Sequence, residues 1–219
     1  MIKQGIIVLL LLCTGNIGVQ SEGLSNQLDN RTVIWQQNEE TNGDELTPEE
    51  AQKVIASRAE QVIRALKDSN MKKLKGLVHP KKGVRFSPDA TIQVNGDLLF
   101  KGKELEQLIR SDKVYEWGSY DGSGNPIKLT FQEYLNSFIY DRDYANAERK
   151  AYNQFIMHSS STDNLREIYP HAIFVEYNFS KGVGSSDISE LMWSSLRIIF
   201  EYYKGEWYLV GISHDHWTI

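Results

Sequence analysis

The chain has 219 residues, of which 41% are apolar, 11% aromatic and 24% charged, and its formal net charge is −5. This composition suits one compact domain of about 170 residues, once an N-terminal leader and a polar stretch are set aside. Lys and Arg form no patch that could follow a phosphate backbone, which argues against nucleic acid as a partner.

The first predicted element is an export signal over residues 1–21. Lys3 precedes an unbroken apolar run from Ile6 to Leu12, and small or polar residues follow. A basic start before a short apolar run is typical of an export signal, and the run is too short to cross a hydrocarbon core of roughly 30 Å as a helix. A buried core helix is the alternative, but the run lacks the polar face that such a helix needs. We therefore expect an extracytoplasmic protein, either secreted or lipid-anchored to the cell membrane.

The only cysteine, Cys13, lies at the end of this run and leaves two processing routes open. A cysteine after a leucine run suits a lipoprotein signal with lipid attached to Cys13, although Leu12 stands where a small residue is usual. The alternative is ordinary cleavage after Ser21, where Val19 and Ser21 approximate the small-residue pattern. Without another cysteine the mature domain has no disulfide, so its stability depends on packing.

Residues 22–46 are rich in Asn, Gln, Glu, Asp and Gly, and they predict a polar tether. A single domain is then predicted over 47–219. Its first helix begins at Thr47, because Thr47 and Glu50 form a capping box with proline at the first helical position. Apolar residues recur at helical spacing from there to about Lys67, which indicates an amphipathic helix.

The middle of the chain predicts, in order, a short helix ending at Pro80, strands over 84–94 and 98–101 joined by an Asn-Gly turn, and a helix over 103–109. The segment at about 114–155 is interpreted as a helical insertion, with a second capping box at Thr130 and Glu133. Within it, residues 121–126 begin like a calcium loop but have Pro126 where glycine is needed, so a turn is predicted. Residues 141–143 predict a solvated turn.

The last third of the chain predicts three long antiparallel strands over 172–179, 194–203 and 207–213. Apolar and polar residues alternate in the first two strands, and the third is apolar on both faces, as a central strand should be. Lys204 and Gly205 form the turn between the last two strands. The predicted fold class is α+β, with helices covering one face of a bent sheet.

Four strings near the ends of the domain carry a family resemblance: LVHP at 77–80, GVRF at 83–86, SLRIIFE at 195–201 and GEWYLVGI at 205–212. With this element order, the domain resembles the nuclear transport factor 2-like, or SnoaL-like, superfamily. The strings also resemble exported proteins of Bacillus-like bacteria. The superfamily implies a strongly curved antiparallel sheet that forms a cone and packs on N-terminal helices, here with the helical insertion. It includes isomerases, dehydratases and non-catalytic binders, so it assigns no activity.

The candidate ligand-binding residues are His79, Trp117, Tyr120, Arg197 and His214. Trp117 and Tyr120 belong to an aromatic cluster that either fills the core, which we favour, or forms a binding lip at the mouth of the cone. Arg197 could hold an anionic ligand if its strand face lines the cone. The favoured alternative is a cross-strand ion pair with Glu176 or Glu201.

Two histidines, His214 and His216, lie two residues apart on a predicted strand and point the same way. They could share a metal if a third ligand came from elsewhere. No spacing brings a third ligand to them, so we favour histidines satisfied by ordinary hydrogen bonds and predict no metal. No phosphate-binding glycine motif is present, and no cofactor is predicted.

No acid-base or nucleophile pattern appears in the sequence. The leading hypothesis is therefore an exported, non-catalytic module of the cell envelope or exterior that binds a small molecule, a peptide or an envelope protein, and contacts the membrane only through a lipid anchor. The first alternative is a small cone-fold isomerase, dehydratase or hydrolase with His79, Arg197 or His214 inside the cone. The second is a protein that dimerises through an exposed sheet face. Two titratable groups converging in the cavity would favour the enzyme, and an apolar wall would favour the binder.

Overall fold

The computed structural model describes residues 42–120, 122–156, 163–181 and 192–217; the predicted export signal, Cys13 and most of the predicted tether lie outside these ranges. The helices are Pro48–Lys67 (α1), Met71–Lys75 (α2), Gly102–Leu108 (α3), Phe131–Tyr134 (α4) and Leu165–Ile168 (α5). The strands are Val84–Ser87 (β1), Leu98–Phe100 (β2), Val114–Ser119 (β3), Pro126–Thr130 (β4), Arg149–Tyr152 (β5), Ile173–Phe179 (β6), Ser194–Tyr203 (β7) and Glu206–His216 (β8). None of the described helices is long and apolar enough to cross a membrane.

Six strands form one sheet in the order β2-β1-β8-β7-β6-β5, and β3 and β4 form a separate hairpin. Neighbouring strands of the sheet are antiparallel, except that β1 and β8 are parallel. A bulge between Ile199 and Phe200 shifts the register of β7 against β8, and a bulge bends the strand that carries it. The predicted α+β class with a curved, mainly antiparallel sheet is confirmed.

Helix α1 begins where the capping box predicted it. The Thr47 hydroxyl accepts a hydrogen bond from the Glu50 N–H at 3.3 Å, and the Glu50 carboxylate accepts one from the Thr47 N–H at 3.0 Å. The helix buries an apolar stripe made of Ala51, Ile55, Ala59, Val62, Ile63, Ala65 and Leu66. This stripe shares the main core with the alternate residues of the sheet that include Val175 and Ile198. We call this side of the sheet the inner face.

The opposite side of the sheet, the outer face, is also covered. A second and smaller core joins Phe174, Ile199 and Val210 of the three longest strands to Leu165 of α5 and to Ile92, which lies between β1 and β2. The Asn164 side chain holds this cover in place, because it bonds both the N–H and the carbonyl of Ile92. The dimer hypothesis needs an exposed sheet face, and this part of the sheet does not offer one.

The first predicted strand, 84–94, is too long. Strand β1 ends at Ser87, since the next residue is a proline without an N–H for the ladder. The Asp97 carboxylate then accepts hydrogen bonds from the Ser87 hydroxyl and from the Gln93 N–H, so the residues between β1 and β2 form an ordered loop instead of a tight turn. The antiparallel pairing of β1 with β2 is as predicted.

The end of the predicted tether is part of the described fold. The Gly43 N–H donates to the His171 carbonyl at 3.1 Å, and the Asn153 side chain donates to the carbonyls of Gly43 and Leu46. A Cβ atom at residue 43 would lie 2.6 Å from the His171 oxygen, which explains why glycine stands there. Ordered structure therefore starts before residue 47, the predicted beginning of the domain.

The segment predicted as a helical insertion also contains strands. The β3–β4 hairpin precedes α4, and β5 follows it. The hairpin closes through a turn in which the Tyr120 N–H donates to the Asn125 carbonyl at 2.8 Å, in agreement with the predicted turn. The second capping box, Thr130 with Glu133, starts α4 as predicted, and the chain then continues as a π-helical turn over Leu135–Ile139. Such turns are frequent at functional sites.

Candidate functional site

The strands of the sheet end at two opposite sides of the molecule. At one side Ser194, which begins β7, pairs with His216, which ends β8. At the other side Tyr203 pairs with Glu206 across the turn formed by Lys204 and its following glycine. We call these sides the mouth end and the turn end. Nine residue steps along β7 separate them, which corresponds to roughly 30 Å.

A cleft of about 500 Å³ opens at the mouth end. Its walls come from the residue that follows β3, from the π-helical turn and the residues after it, from the start of β7 and the residues before it, and from the end of β8 and the residue after it. The lining residues are Tyr120, Ser137, Phe138, Asp141, Arg142, Met192, Trp193, Ser194, His214, His216 and Trp217. Four of these residues contribute large aromatic rings and one contributes a methionine, and the other six carry polar side chains.

Asp141 and His214 meet on one side of the cleft. The Nε2 atom of His214 lies 3.3 Å from the Oδ1 atom of Asp141, and only 3% of the histidine is exposed. Both ring nitrogens of His214 are shielded from solvent. Burial by itself raises the pKa of Asp141, but the interactions with His214, the Tyr144 hydroxyl and a backbone N–H together outweigh it and lower the pKa of this carboxyl. Asp141 is therefore a carboxylate at neutral pH.

A row of aromatic rings connects the cleft with the core. The Phe138 ring lies 6.3 Å from the His214 ring and 5.9 Å from the Tyr120 ring, measured between centroids. Behind it Phe138 stacks on Tyr134 at 5.3 Å, and Tyr134 stacks on Trp117 at 3.9 Å. Because each ring packs against the next, the aromatic core continues into the wall of the cleft.

Arg142 is held at the rim of the cleft by contacts on its far side. Its guanidinium lies 4.1 Å from the centre of the Phe179 ring and donates to the Lys181 carbonyl. It also reaches the Ser194 hydroxyl at 3.5 Å. These contacts hold a positive charge at the rim of the cleft that Asp141 also lines.

No family profile and no curated protein matches the chain. Two similar solved structures are a variant of Rd1NTF2_05 and a dehydratase described as belonging to the NTF2-like family from Streptomyces avermitilis. The first is 9% identical, with 73% of this chain and 96% of the other covered and a TM-score of 0.28. The second is 15% identical, with 79% and 100% covered and a TM-score of 0.30.

These structural neighbours are NTF2-like proteins. At these TM-scores the likeness carries no argument about the superfamily, the cleft or the chemistry of this chain. The resemblance to exported proteins of Bacillus-like bacteria stays a prediction.

The structure brings Tyr120 and His214 together in the cleft, while the remaining candidates lie elsewhere. Trp117 belongs to the core: its ring is fully buried, and its indole N–H donates to the Leu129 carbonyl at 2.9 Å. Tyr120, three residues later, is 44% exposed. The aromatic cluster therefore supplies both alternatives considered for it, core packing at Trp117 and a lip at Tyr120.

Arg197 lies on the outer face and not in the cone. Its side chain is fully buried and pairs with Glu176 at 3.3 Å, Asp215 at 3.0 Å and Asp163 at 2.7 Å. Glu176 is its direct neighbour across β6 and β7, so the favoured cross-strand ion pair is present. The other suggested partner, Glu201, pairs with a lysine at the turn end instead.

His79 lies at the turn end, at the opposite side of the sheet from the cleft. Its Nδ1 atom accepts hydrogen bonds from the N–H groups of Lys81 and Lys82 at 3.1 and 2.9 Å. Burial lowers the pKa of His79, which favours the neutral ring that these bonds require. His79 therefore organises a turn, and this arrangement does not place it in the candidate site.

The predicted orientation of the C-terminal histidines is confirmed. The His214 and His216 rings lie on the same side of β8, with centroids 4.9 Å apart, while Asp215 points to the outer face and pairs with Arg197. Within the described ranges, no three His, Cys, Asp or Glu side chains are grouped as a metal would require.

Several residues of the cleft were not predicted from the sequence. Asp141 was expected in a solvated turn, and its carboxylate instead meets His214, which is 73 positions away along the chain. Phe138 belongs to the aromatic cluster that was predicted to fill the core or form a lip, whereas Trp193 carries only a weak signal, as an aromatic residue just before the strand predicted over 194–203. Nothing in the local sequence indicates that these segments meet.

Proposed function

We propose that this chain is an exported module that binds a small ligand with a flat apolar body in the cleft at the mouth end. The observation that supports it is the wall of aromatic rings with Tyr120 44% and Met192 47% exposed beside the Asp141 carboxylate. A concave, mainly apolar surface with a few placed polar groups is typical of small-molecule sites. Large exposed apolar side chains at such a surface are free to contact a ligand.

Binding without catalysis is favoured by the environment of His214. A general acid or base must come within hydrogen-bond reach of the group it serves, and both nitrogens of His214 are shielded from the cleft. The ring presents carbon atoms to the cleft and orients Asp141 from behind. The Asp141 carboxylate is then one of the polar groups that a ligand meets in the cleft.

An enzyme is the second candidate, because two titratable groups converge at the cleft. In this case Asp141 would act as a general base and His214 would orient it, in an isomerase, dehydratase or hydrolase. An Asp141→Asn variant separates the two candidates once a ligand is known. A binder would retain its function within the strength of one hydrogen bond, whereas an enzyme would lose its turnover and keep its affinity.

The cleft can be tested with 1-anilinonaphthalene-8-sulfonate, a flat aromatic probe whose fluorescence rises on binding. We expect Tyr120→Ala to weaken probe binding about fivefold, since one aromatic contact contributes about 1 kcal/mol. Leu99→Ala and Val114→Ala are matched controls, because both residues are exposed apolar residues outside the cleft (42% and 55%). Equal losses in the controls, or none at Tyr120, would contradict the proposed site.

Export is proposed on the short apolar run after Lys3. If Cys13 carries a lipid, cells given labelled palmitate should incorporate label into the wild-type chain and not into Cys13→Ala. If cleavage instead follows Ser21, the mature N-terminus should read Glu22, and both chains should appear unlabelled in the medium. A full-length chain retained in the cytoplasm would contradict export.

A further inference from the structure

The turn end carries a cluster of cations around one tyrosine. The Nζ atoms of Lys81 and Lys204 lie 5.5 and 5.6 Å from the centre of the Tyr203 ring. Lys82 and Lys101 belong to the same region, since Lys82 pairs with Glu201 and Lys101 donates to the carbonyls of residues 81 and 82. We call Lys81, Lys82, Lys101, Lys204 and Tyr203 the basic surface.

Two of these lysines are not neutralised by the parts of the fold described above. Lys81 and Lys204 form no ion pair with any described residue, and both are exposed. The nearby carboxylate of Glu206 is paired with Arg58, and that of Glu201 with Lys82. Positive charge is therefore in excess at this surface.

The backbone that carries Lys81 is held in place. His79 accepts hydrogen bonds from the N–H groups of Lys81 and Lys82, and its own carbonyl accepts one from the Gly83 N–H at 2.9 Å. Lys101 bonds the carbonyls of the same turn. Because the turn is tied on both sides, its ammonium groups are presented outward at little further cost in backbone entropy.

The chain enters the fold at the same end. Gly43 bonds to His171 just before β6, and β6 begins opposite Phe200, near the turn end of β7. The start of the described chain, at residues 42 and 43, therefore lies on the side of the basic surface. Asp44 and Glu45 follow this entry point and are exposed, so the excess of positive charge belongs to the β7–β8 turn and the segment 79–83.

We propose that the basic surface docks on the phosphate headgroups of an anionic lipid bilayer, which leaves the mouth cleft facing away from the membrane. Lysines beside an anionic leaflet each contribute attraction, and a tyrosine between them suits the interface between headgroups and water. The chain's entry on the same side fits a molecule tethered to that membrane. This inference does not depend on what the cleft binds.

Co-sedimentation of the full chain with vesicles tests the proposal. Vesicles with equal amounts of phosphatidylglycerol and phosphatidylcholine are compared with phosphatidylcholine alone, so that binding through the apolar leader is measured separately. We expect the double variant Lys81→Gln with Lys204→Gln to lose the extra affinity for the anionic vesicles by on the order of 30-fold. Added sodium chloride should weaken the wild-type binding as well.

A matched control removes the same charge elsewhere. Lys128 lies on β4, and Lys67 pairs with Asp143, close to the mouth end; changing both to Gln should alter binding less than about threefold. The proposal is overturned if this control loses as much as the test variant, if the test variant keeps its affinity, or if wild type binds both vesicles equally. It is also overturned if inorganic phosphate displaces the protein more strongly than chloride at equal ionic strength, since that would indicate a site for free phosphate.

Discussion

Replacing Arg197 by Met should lower the free energy of unfolding by about 3–5 kcal/mol. The guanidinium is fully buried and pairs with Glu176, Asp215 and Asp163. Without it, the three carboxylates stay close together with less compensating positive charge. Their repulsion and their desolvation then raise the free energy of the folded state and leave that of the unfolded chain unchanged. The Glu176 carboxylate also accepts from the Ser195 hydroxyl at 2.7 Å, so the disturbance reaches the hydrogen bonds between β6 and β7.

Urea denaturation followed by tryptophan fluorescence measures this loss. Arg197→Lys keeps the charge but not the planar fork, and should fall between the wild type and Arg197→Met. Arg64→Met removes an exposed arginine that pairs with Glu60 on the surface of α1. This variant should leave the free energy of unfolding unchanged. A loss below about 1 kcal/mol for Arg197→Met would show that the buried network contributes little.

The second large effect is expected at Trp117. Truncation to Ala should cost about 3–5 kcal/mol, because a fully buried indole leaves a cavity that the surrounding rings cannot fill. Trp117 stacks on Tyr134 and packs edge-on against Phe86, so the loss reaches both the helical segment and the sheet. Trp117→Phe retains most of the apolar contact and should cost less.

A comparison of Trp117→Ala with Tyr120→Ala distinguishes a core residue from a residue that contacts the ligand. Thermal unfolding should show a large loss for Trp117→Ala and almost none for Tyr120→Ala, whereas probe binding below the melting temperature should show the reverse. If Trp117→Ala weakened probe binding without loss of stability, the sequence-based view of Trp117 as a ligand contact would be favoured over the core role described above.

The π-helical turn links these two observations. The capping box at Thr130 starts α4, and the widened turn over Leu135–Ile139 follows within the same segment. The Phe138 side chain, within this turn, lines the cleft, and so does Asp141, three residues further along the chain. The π-helical turn therefore joins the core to the cleft wall, and we expect destabilised core variants to lose probe binding only as they unfold.

Local signals in the sequence were enough for several of the individual elements, but not for β3, β4 and β5 in the predicted helical insertion. Both capping boxes placed the starts of their helices, since a cap involves residues only three positions apart. Alternation of apolar and polar residues located β6 and β7, and the Lys204–Gly205 pair located the turn between β7 and β8. Each of these signals depends only on neighbours along the chain. The same alternation placed Glu176 and Arg197 on the polar faces of their strands, so their ion pair could be predicted.

Pairings between distant segments needed the tertiary structure. β1 lies parallel to β8, although more than 120 residues separate Phe86 from its partner Ile212. Asp141 meets His214 because the segment of the π-helical turn packs against β8. The sequence alone determined the starts of the two capped helices and the last three strands, because those features depend on a few neighbouring residues. Only the folded chain decided which polar groups share a cleft and which are buried on the outer face, because that depends on how all of the elements pack together.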